Sequence, residues 1–218
     1  MAGPSCSCCY DVEFDEKLAE QEARSYRRSG PQKSTRALAD ALAADDASGL
    51  TVLDIGGGVG ALHHLLLERG AASAVDVDAS GPYLTAARRE AERLGLADRV
   101  TLVHGDFVAV AGDVGPADLV GLDKVVCCYP DADALVSAAA TRTRRRLGIV
   151  VPPDGRLSRL IVGIVNVWER IRRSAFRMHA HPHDEIIATA GGAGLRWVGT
   201  RSVGIWRLLV FERSQAGG

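Results

Sequence analysis

Val52-Leu53-Asp54-Ile55-Gly56-Gly57-Gly58-Val59-Gly60 is the stretch that decides the fold. Residues 51–55 form an apolar strand that runs straight into glycines, and a helix is expected over 61–69, stopped by Gly70. Glycines suit such a turn because a Cβ would block a ligand's approach to the backbone. A dinucleotide-binding turn of this kind holds a pyrophosphate at the helix N-terminus. Here Asp54 stands two residues before the first glycine. A carboxylate there repels a pyrophosphate and suits a cationic ligand that carries an amino group.

Working outward, further strands are expected at 73–77, 100–104, 118–122 and 147–151. Helices are expected at 15–28, 34–44, 82–94 and 131–145, with Pro82 in a first turn and Gly95 after an end. Strands that alternate with helices imply an α/β, doubly wound, Rossmann-like and mostly parallel sheet, covered on both faces. Two closing strands, at 195–200 and 205–211, leave no room for a helix between them. They are expected to pair as an antiparallel hairpin at the sheet edge, giving seven strands with an antiparallel last strand. Residues 1–33 read as an N-terminal arm with a helix, and 34–218 as the ligand-binding domain.

Acids end two more strands. Asp76 follows Asp54 by 22 residues, where a carboxylate can accept both hydroxyls of a ribose. Asp78, two residues on, can share or replace that role. Gly105-Asp106-Phe107 follows the third strand, placing Asp106 to accept from an adenine amino group and Phe107 to cover the ring. Ligand sites of open α/β sheets lie at the carboxyl ends of strands, so these acids point to a bound nucleoside.

The run Asp54 to Gly60 resembles the first motif of class I S-adenosylmethionine-dependent methyltransferases, and Asp76 and Asp106 fall where that family's ribose and adenine contacts lie. The resemblance spans about residues 34–211. It implies S-adenosylmethionine as cofactor, with Gly56, Gly58 and Gly60 close to the methionine part and Asp54 orienting it. Within the family the layout is similar to magnesium-protoporphyrin O-methyltransferases, on the N-terminal arm, Tyr26-Arg27-Arg28, Gly30 and the long segment after the fifth strand.

Transfer of an activated methyl is an in-line displacement, so the protein must mainly position the reactants and exclude water. Candidate catalytic residues follow the fourth strand in Asp123-Lys124-Val125-Val126-Cys127-Cys128-Tyr129-Pro130. Tyr129 can hydrogen-bond an acceptor oxygen, and Asp123 is either a base or a cap. Cys127 and Cys128 are either small apolar packing or ligands for a soft metalloid acceptor. His179, His181 and His183 alternate, but Pro182 breaks the spacing, so no metal site is assigned and His183 is kept as a catalytic candidate. Leu157, Leu160, Ile161, Ile164, Val165, Trp168 and Ile171 recur at helical spacing, flanked by Arg156, Arg159, Arg170, Arg172 and Arg173. This inserted helical segment, around 154–178, reads as a lid, with a homodimer face or a peripheral membrane contact as alternatives.

Charge and composition bound the partners. Residues 142–218 hold 14 Arg, no Lys and 5 acids, a net +9, against −10 in the remainder. Either the two parts neutralise each other, or a basic surface near the substrate mouth takes an anionic ligand. No 18-residue apolar run and no basic-then-apolar leader is present, so a transmembrane segment is not expected. The five cysteines, at 6, 8, 9, 127 and 128, are odd in number and clustered, which fits reduced thiols in a cytoplasmic protein. Cys6, Cys8 and Cys9 are too compact for a four-ligand zinc site.

The expected function is methyl transfer to a small, anionic acceptor, with no nucleic-acid partner, since no aromatic-basic groove is evident. The alternatives are a thiol or metalloid acceptor at Cys127 and Cys128, a nucleoside-binding module without catalysis, and an NAD-dependent oxidoreductase, which Asp54 disfavours.

Overall fold

The computed structural model describes residues 14–44, 46–155, 162–163, 166–167 and 177–214. Among the described residues the first element is α1 (Glu16–Ser29), where Asp15 accepts the Leu18 N–H as N-cap and Arg27 and Arg28 sit in the last turn. Gly30, in the left-handed φ region at 69°, ends it. After α2 (Lys33–Leu42) come β1 (Thr51–Ile55), α3 (Ala61–Glu68), β2 (Ser73–Asp78), α4 (Gly81–Leu94) and β3 (Val100–His104). Then follow α5 (Phe107–Val110), β4 (Ala117–Asp123), α6 (Ala132–Thr141), β5 (Thr143–Val151), α7 (His183–Gly192), β6 (Leu195–Val203) and β7 (Trp206–Arg213).

The seven strands form one sheet in the order β3-β2-β1-β4-β5-β7-β6. The first five are parallel, and β7 runs antiparallel between β5 and β6. The order reverses at β1, so the carboxyl ends of β1 and β4 open the crevice in which α/β sheets bind ligands.

Strand periodicity assigns the faces. Leu53 and Ile55 of β1 pack with Leu122, Leu135 and Phe211 on one side of the sheet, while Val52 packs with Leu38, Leu62 and Leu66 of α2 and α3 on the other. Period-2 alternation therefore sends Asp54 to the α3 side, along with Val52. The same parity carries Asp76 with Ala74, and the register pairs Asp76 directly with Asp54. Glycines in mid-strand let α2 and α3 come close: a Cβ on Gly121 would collide with Leu62, and one on Gly148 with Leu38.

Several boundaries differ from expectation. The helix expected over 131–145 stops at Thr141, because β5 starts at Thr143 and pairs with Ala117 of β4. Arg144 and Arg145, expected on that helix, lie instead on β5, where the next residue, Arg146, bonds Glu212 of β7 at 2.9 Å. β2 runs to Asp78, one residue past the expected end. Most of the inserted segment lies outside the described residues, with Leu157, Leu160, Ile161, Ile164, Val165, Trp168, Ile171 and the arginines at 156, 159, 170, 172 and 173. Cys6, Cys8 and Cys9 also lie outside them. Among the described residues no helix is long and apolar enough to cross a membrane.

Candidate active site

A cavity of about 440 Å³ opens at the carboxyl ends of the central strands. Asp54, Gly56, Gly58, Asp78, Asp106, Phe107, Asp123 and Tyr129 all line it. Residues expected from four separate segments thus converge on one space. α1 closes one side with Glu22 and Tyr26, and Thr35 of α2 adds to the wall.

The floor is the glycine turn. Gly56 and Gly58 have φ of 66° and 59°, where a side chain is strained, and a Cβ on Gly56 would press on Val125 at 2.7 Å. Asp54 is 1% exposed. Its Oδ2 lies 2.9 Å from a ring nitrogen of His63, while its Oδ1 is buried without a hydrogen-bond partner in the described residues. A buried carboxylate oxygen left unpaired is costly. A cationic or amino-bearing ligand in the cavity would relieve that cost. His63 was not foreseen as part of the site. It is one of two adjacent histidines on the otherwise apolar face of α3, both fully buried. Burial, helped by His63, pushes the His64 imidazole down to about 2, so it stays neutral.

Asp76 and Asp78 divide differently from expectation. Asp76 is fully buried behind the turn, accepts the Gly57 N–H at 3.2 Å and does not line the cavity. Register places it beside Asp54, inside the sheet rather than at its end. Asp78, at the true end of β2, does line the cavity. Its oxygens accept N–H groups from Gly58 at 3.0 Å and Ser80 at 2.8 Å, which fixes the carboxylate. Burial raises Asp78 to about 6 against those hydrogen bonds. Asp76 is raised well above the carboxylate range, by burial first and then by Asp54 and Asp78.

On the opposite wall, Asp106 caps α5 by accepting the Val108 N–H at 3.0 Å, and the Tyr129 hydroxyl donates to it at 2.9 and 3.1 Å. Phe107 is 4% exposed and packs in the core while lining the cavity. Asp123 ends β4. Its Oδ2 accepts the Thr35 hydroxyl at 2.5 Å, and Oδ1 lies 3.7 Å from Lys124 Nζ. Burial holds the Asp123 carboxyl above its ordinary value, with Lys124 and Thr35 opposing. Lys124 carries a φ of 67° and also bonds Gln32 at 2.9 Å. Cys127 and Cys128 follow in a short turn, with the Cys127 thiol held below its usual range by its hydrogen bond with Cys128.

Gly60 and His183 do not line the cavity. Gly60 starts α3 and leaves room for the His63 and His64 rings, which a Cβ would approach within 2.7 and 2.5 Å. His183 was expected as a catalytic candidate. Instead its Nε2 lies 2.9 Å from the Pro152 carbonyl and its N–H donates to Asp154, so it ties α7 to the end of β5. His179 and His181 stack on each other, and His181 also reaches the Tyr129 carbonyl at 3.0 Å. No cluster of three or more metal-ligating side chains is present among the described residues.

Residues 52–146 match the family model for the methyltransferase domain. With the sheet order, the glycine turn and the strand-end acids, that match marks this stretch as a methyltransferase domain. An O-methyltransferase family protein from Burkholderia thailandensis superposes with a TM-score of 0.76 at 21% identity, over 95% of this chain and 64% of that one. Magnesium protoporphyrin IX methyltransferase from Synechocystis PCC 6803, with bound S-adenosylmethionine, superposes at 0.67 with 25% identity, over 88% of this chain and 84% of that one. The release factor glutamine methyltransferase of Moorella thermoacetica is 34% identical over 133 residues, 57% of this chain and 44% of that protein. The chain thus spans less than half of that relative's length.

Proposed function

We propose that this protein transfers a methyl group from S-adenosylmethionine to an oxygen of a small-molecule acceptor. The observation that carries the reading is Asp54, buried under a left-handed glycine turn with one oxygen unpaired, facing the same cavity as Asp78. When bound, the cofactor supplies a methyl already activated on a sulfonium sulfur. The chain's own residues hold and orient the reactants. Asp54 receives the amino group, Asp78 accepts the ribose hydroxyls, Asp106 accepts from the adenine amino group and Phe107 covers the ring. Asp123, raised by burial and held by Thr35, is set to accept a proton from an acceptor hydroxyl. A carboxylate acceptor would need no such base. Tyr129 can still accept a hydrogen bond while donating to Asp106.

Shared fold with an O-methyltransferase family protein supports an oxygen acceptor, and with a magnesium protoporphyrin IX methyltransferase a small one, whereas the Moorella relative is named for a protein acceptor. An anionic acceptor is the second reading, and the net +9 of residues 142–218 favours it. Among the described cavity residues the charge runs the other way: Glu22, Asp54, Asp78, Asp106 and Asp123 face one cation, Lys124. That balance suits the cationic cofactor. Isothermal titration should give binding of S-adenosylhomocysteine and none of NAD, and a labelled-methyl assay should prefer carboxylates and phenols over nucleic acids. Binding of NAD without S-adenosylhomocysteine would overturn the reading.

A further inference from the structure

Cys127 and Cys128 stand next to each other in the turn after β4, and Cys128 lines the cavity. Their sulfurs lie 3.8 Å apart, and both face the Lys124 carbonyl, at 3.2 and 3.7 Å. Adjacent side chains ordinarily diverge, so two sulfurs aimed at one acceptor are already converged. A disulfide would need them at about 2.05 Å and would have to pull the turn together. A single bridging atom needs less. Two bonds of about 2.3 Å, the zinc–thiolate length, meeting at the roughly 95–100° of a pyramidal trivalent centre set the sulfurs about 3.4–3.5 Å apart. The observed spacing is only a few tenths of an ångström wider than that bite, far closer to it than to a disulfide.

The number of ligands selects the occupant. Structural zinc takes four ligands, and no cluster of three or more His, Cys, Asp or Glu exists among the described residues. A soft atom that brings its own third substituent needs only two thiolates.

We propose that Cys127 and Cys128 form a chelating dithiol for a trivalent organoarsenical or a like soft metalloid, entering from the cavity. Loading is an exchange without redox change. Both S–H bonds break, two S–As bonds form, and the arsenic-bound oxygen leaves with the two protons as water. The site is independent of the methyl-transfer proposal, since it needs only the dithiol.

The test uses the full chain with Cys6, Cys8 and Cys9 replaced by serine, so that no other thiol pair competes, and phenylarsine oxide as probe. Intact-mass spectrometry should show one phenylarsenic adduct per chain with loss of one water. The adduct should survive excess 2-mercaptoethanol and be stripped by dithiothreitol. Cys127→Ser and Cys128→Ser should each lower retention at least about 100-fold, because a chelate's effective concentration is lost. Cys128 is only half-buried, so its variant serves even where substitution of the buried Cys127 impairs folding. An adduct that fails to survive the monothiol, or that persists unchanged in Cys128→Ser, would overturn the proposal. Titration of the same protein with S-adenosylhomocysteine reports separately on the cofactor reading.

Discussion

At the scale of single residues, the convergence of Asp54, Asp106, Phe107, Asp123 and Tyr129 on one cavity was legible in the sequence because each lies at or just beyond a strand's carboxyl end and those ends meet at one edge. The choice between Asp76 and Asp78 was not legible. It turns on one residue of strand length, and strand ends are not marked when both candidates are aspartates on the same face. His63 was hidden for another reason, since its partner Asp54 lies on a different element. Asp78→Ala should therefore weaken S-adenosylhomocysteine binding by about 30- to 1,000-fold, the loss of a two-bond charged contact of about 2–4 kcal/mol. Asp76→Asn should leave affinity within a few-fold, and calorimetry on the two variants separates the roles. The pH profile follows from Asp78, raised to about 6. Below that pH it carries a proton and loses an acceptor site, so cofactor affinity should fall as pH drops through about 6, and Asp78→Asn should flatten the fall. Asp76 has the opposite use. The native state holds its proton more tightly than the unfolded chain does, so its ionisation erodes stability as pH rises above the ordinary carboxylate range. Asp76→Asn should raise the melting temperature at pH 8, on the order of 2–4 °C for each kcal/mol relieved, with the gain shrinking toward pH 4.

At the scale of elements, the alternation of strands and helices foretold the sheet, and the absent crossover foretold the β6–β7 hairpin. What pattern could not supply was the close seating of α2 and α3, which depends on Gly121 and Gly148 facing each other across β4 and β5. Nor did the arm read as part of the site. α1 buries Ala19 and Ala23 against Val59, Tyr83 and Ala86, which sets Glu22 and Tyr26 over the cavity. Among its polar ties, Arg27 meets Glu90 at 2.6 Å, while Arg93 meets the other oxygen at 2.8 Å. Glu90 is wholly buried between two partly exposed guanidiniums. Glu90→Ala leaves Arg27 with only the looser pairing to Glu20 at 3.7 Å and takes the Glu90 carboxylate from Arg93, both still wet, so the expected cost is about 1–2 kcal/mol, below that of a fully buried pair. α1 should loosen before the sheet does. Limited proteolysis should cut within the first 30 residues sooner, and cofactor affinity should drop several-fold while the cooperative melt of the domain survives. Unchanged proteolysis would show that the Glu90 pairing does not seat the helix.

At the scale of the whole molecule, the charge split between residues 142–218 and the rest is partly absorbed inside the fold. Arg146 and Arg196 share Glu212, and Arg213 donates to backbone carbonyls of Ala140, Thr143 and Ala193. These arginines join β5, β6 and β7 to α6, so their charge serves the sheet edge and not a substrate. The surplus rests on other positions, among them Arg156, Arg159, Arg172 and Arg173, which belong to the segment between β5 and α7. If these meet an anionic acceptor, replacing two of them with glutamine should raise the acceptor's KM about 10-fold and leave S-adenosylhomocysteine affinity unchanged. The size is that of two partly screened ion pairs, each worth up to about 1 kcal/mol. Added salt should shrink the difference, because exposed charges are screened over about 8–10 Å at moderate ionic strength. A neutral phenolic acceptor should show neither effect. Steady-state kinetics with one carboxylate and one neutral acceptor, at low and high salt, decides between them: equal KM changes for both acceptors would mean that the arginines read no charge on the acceptor.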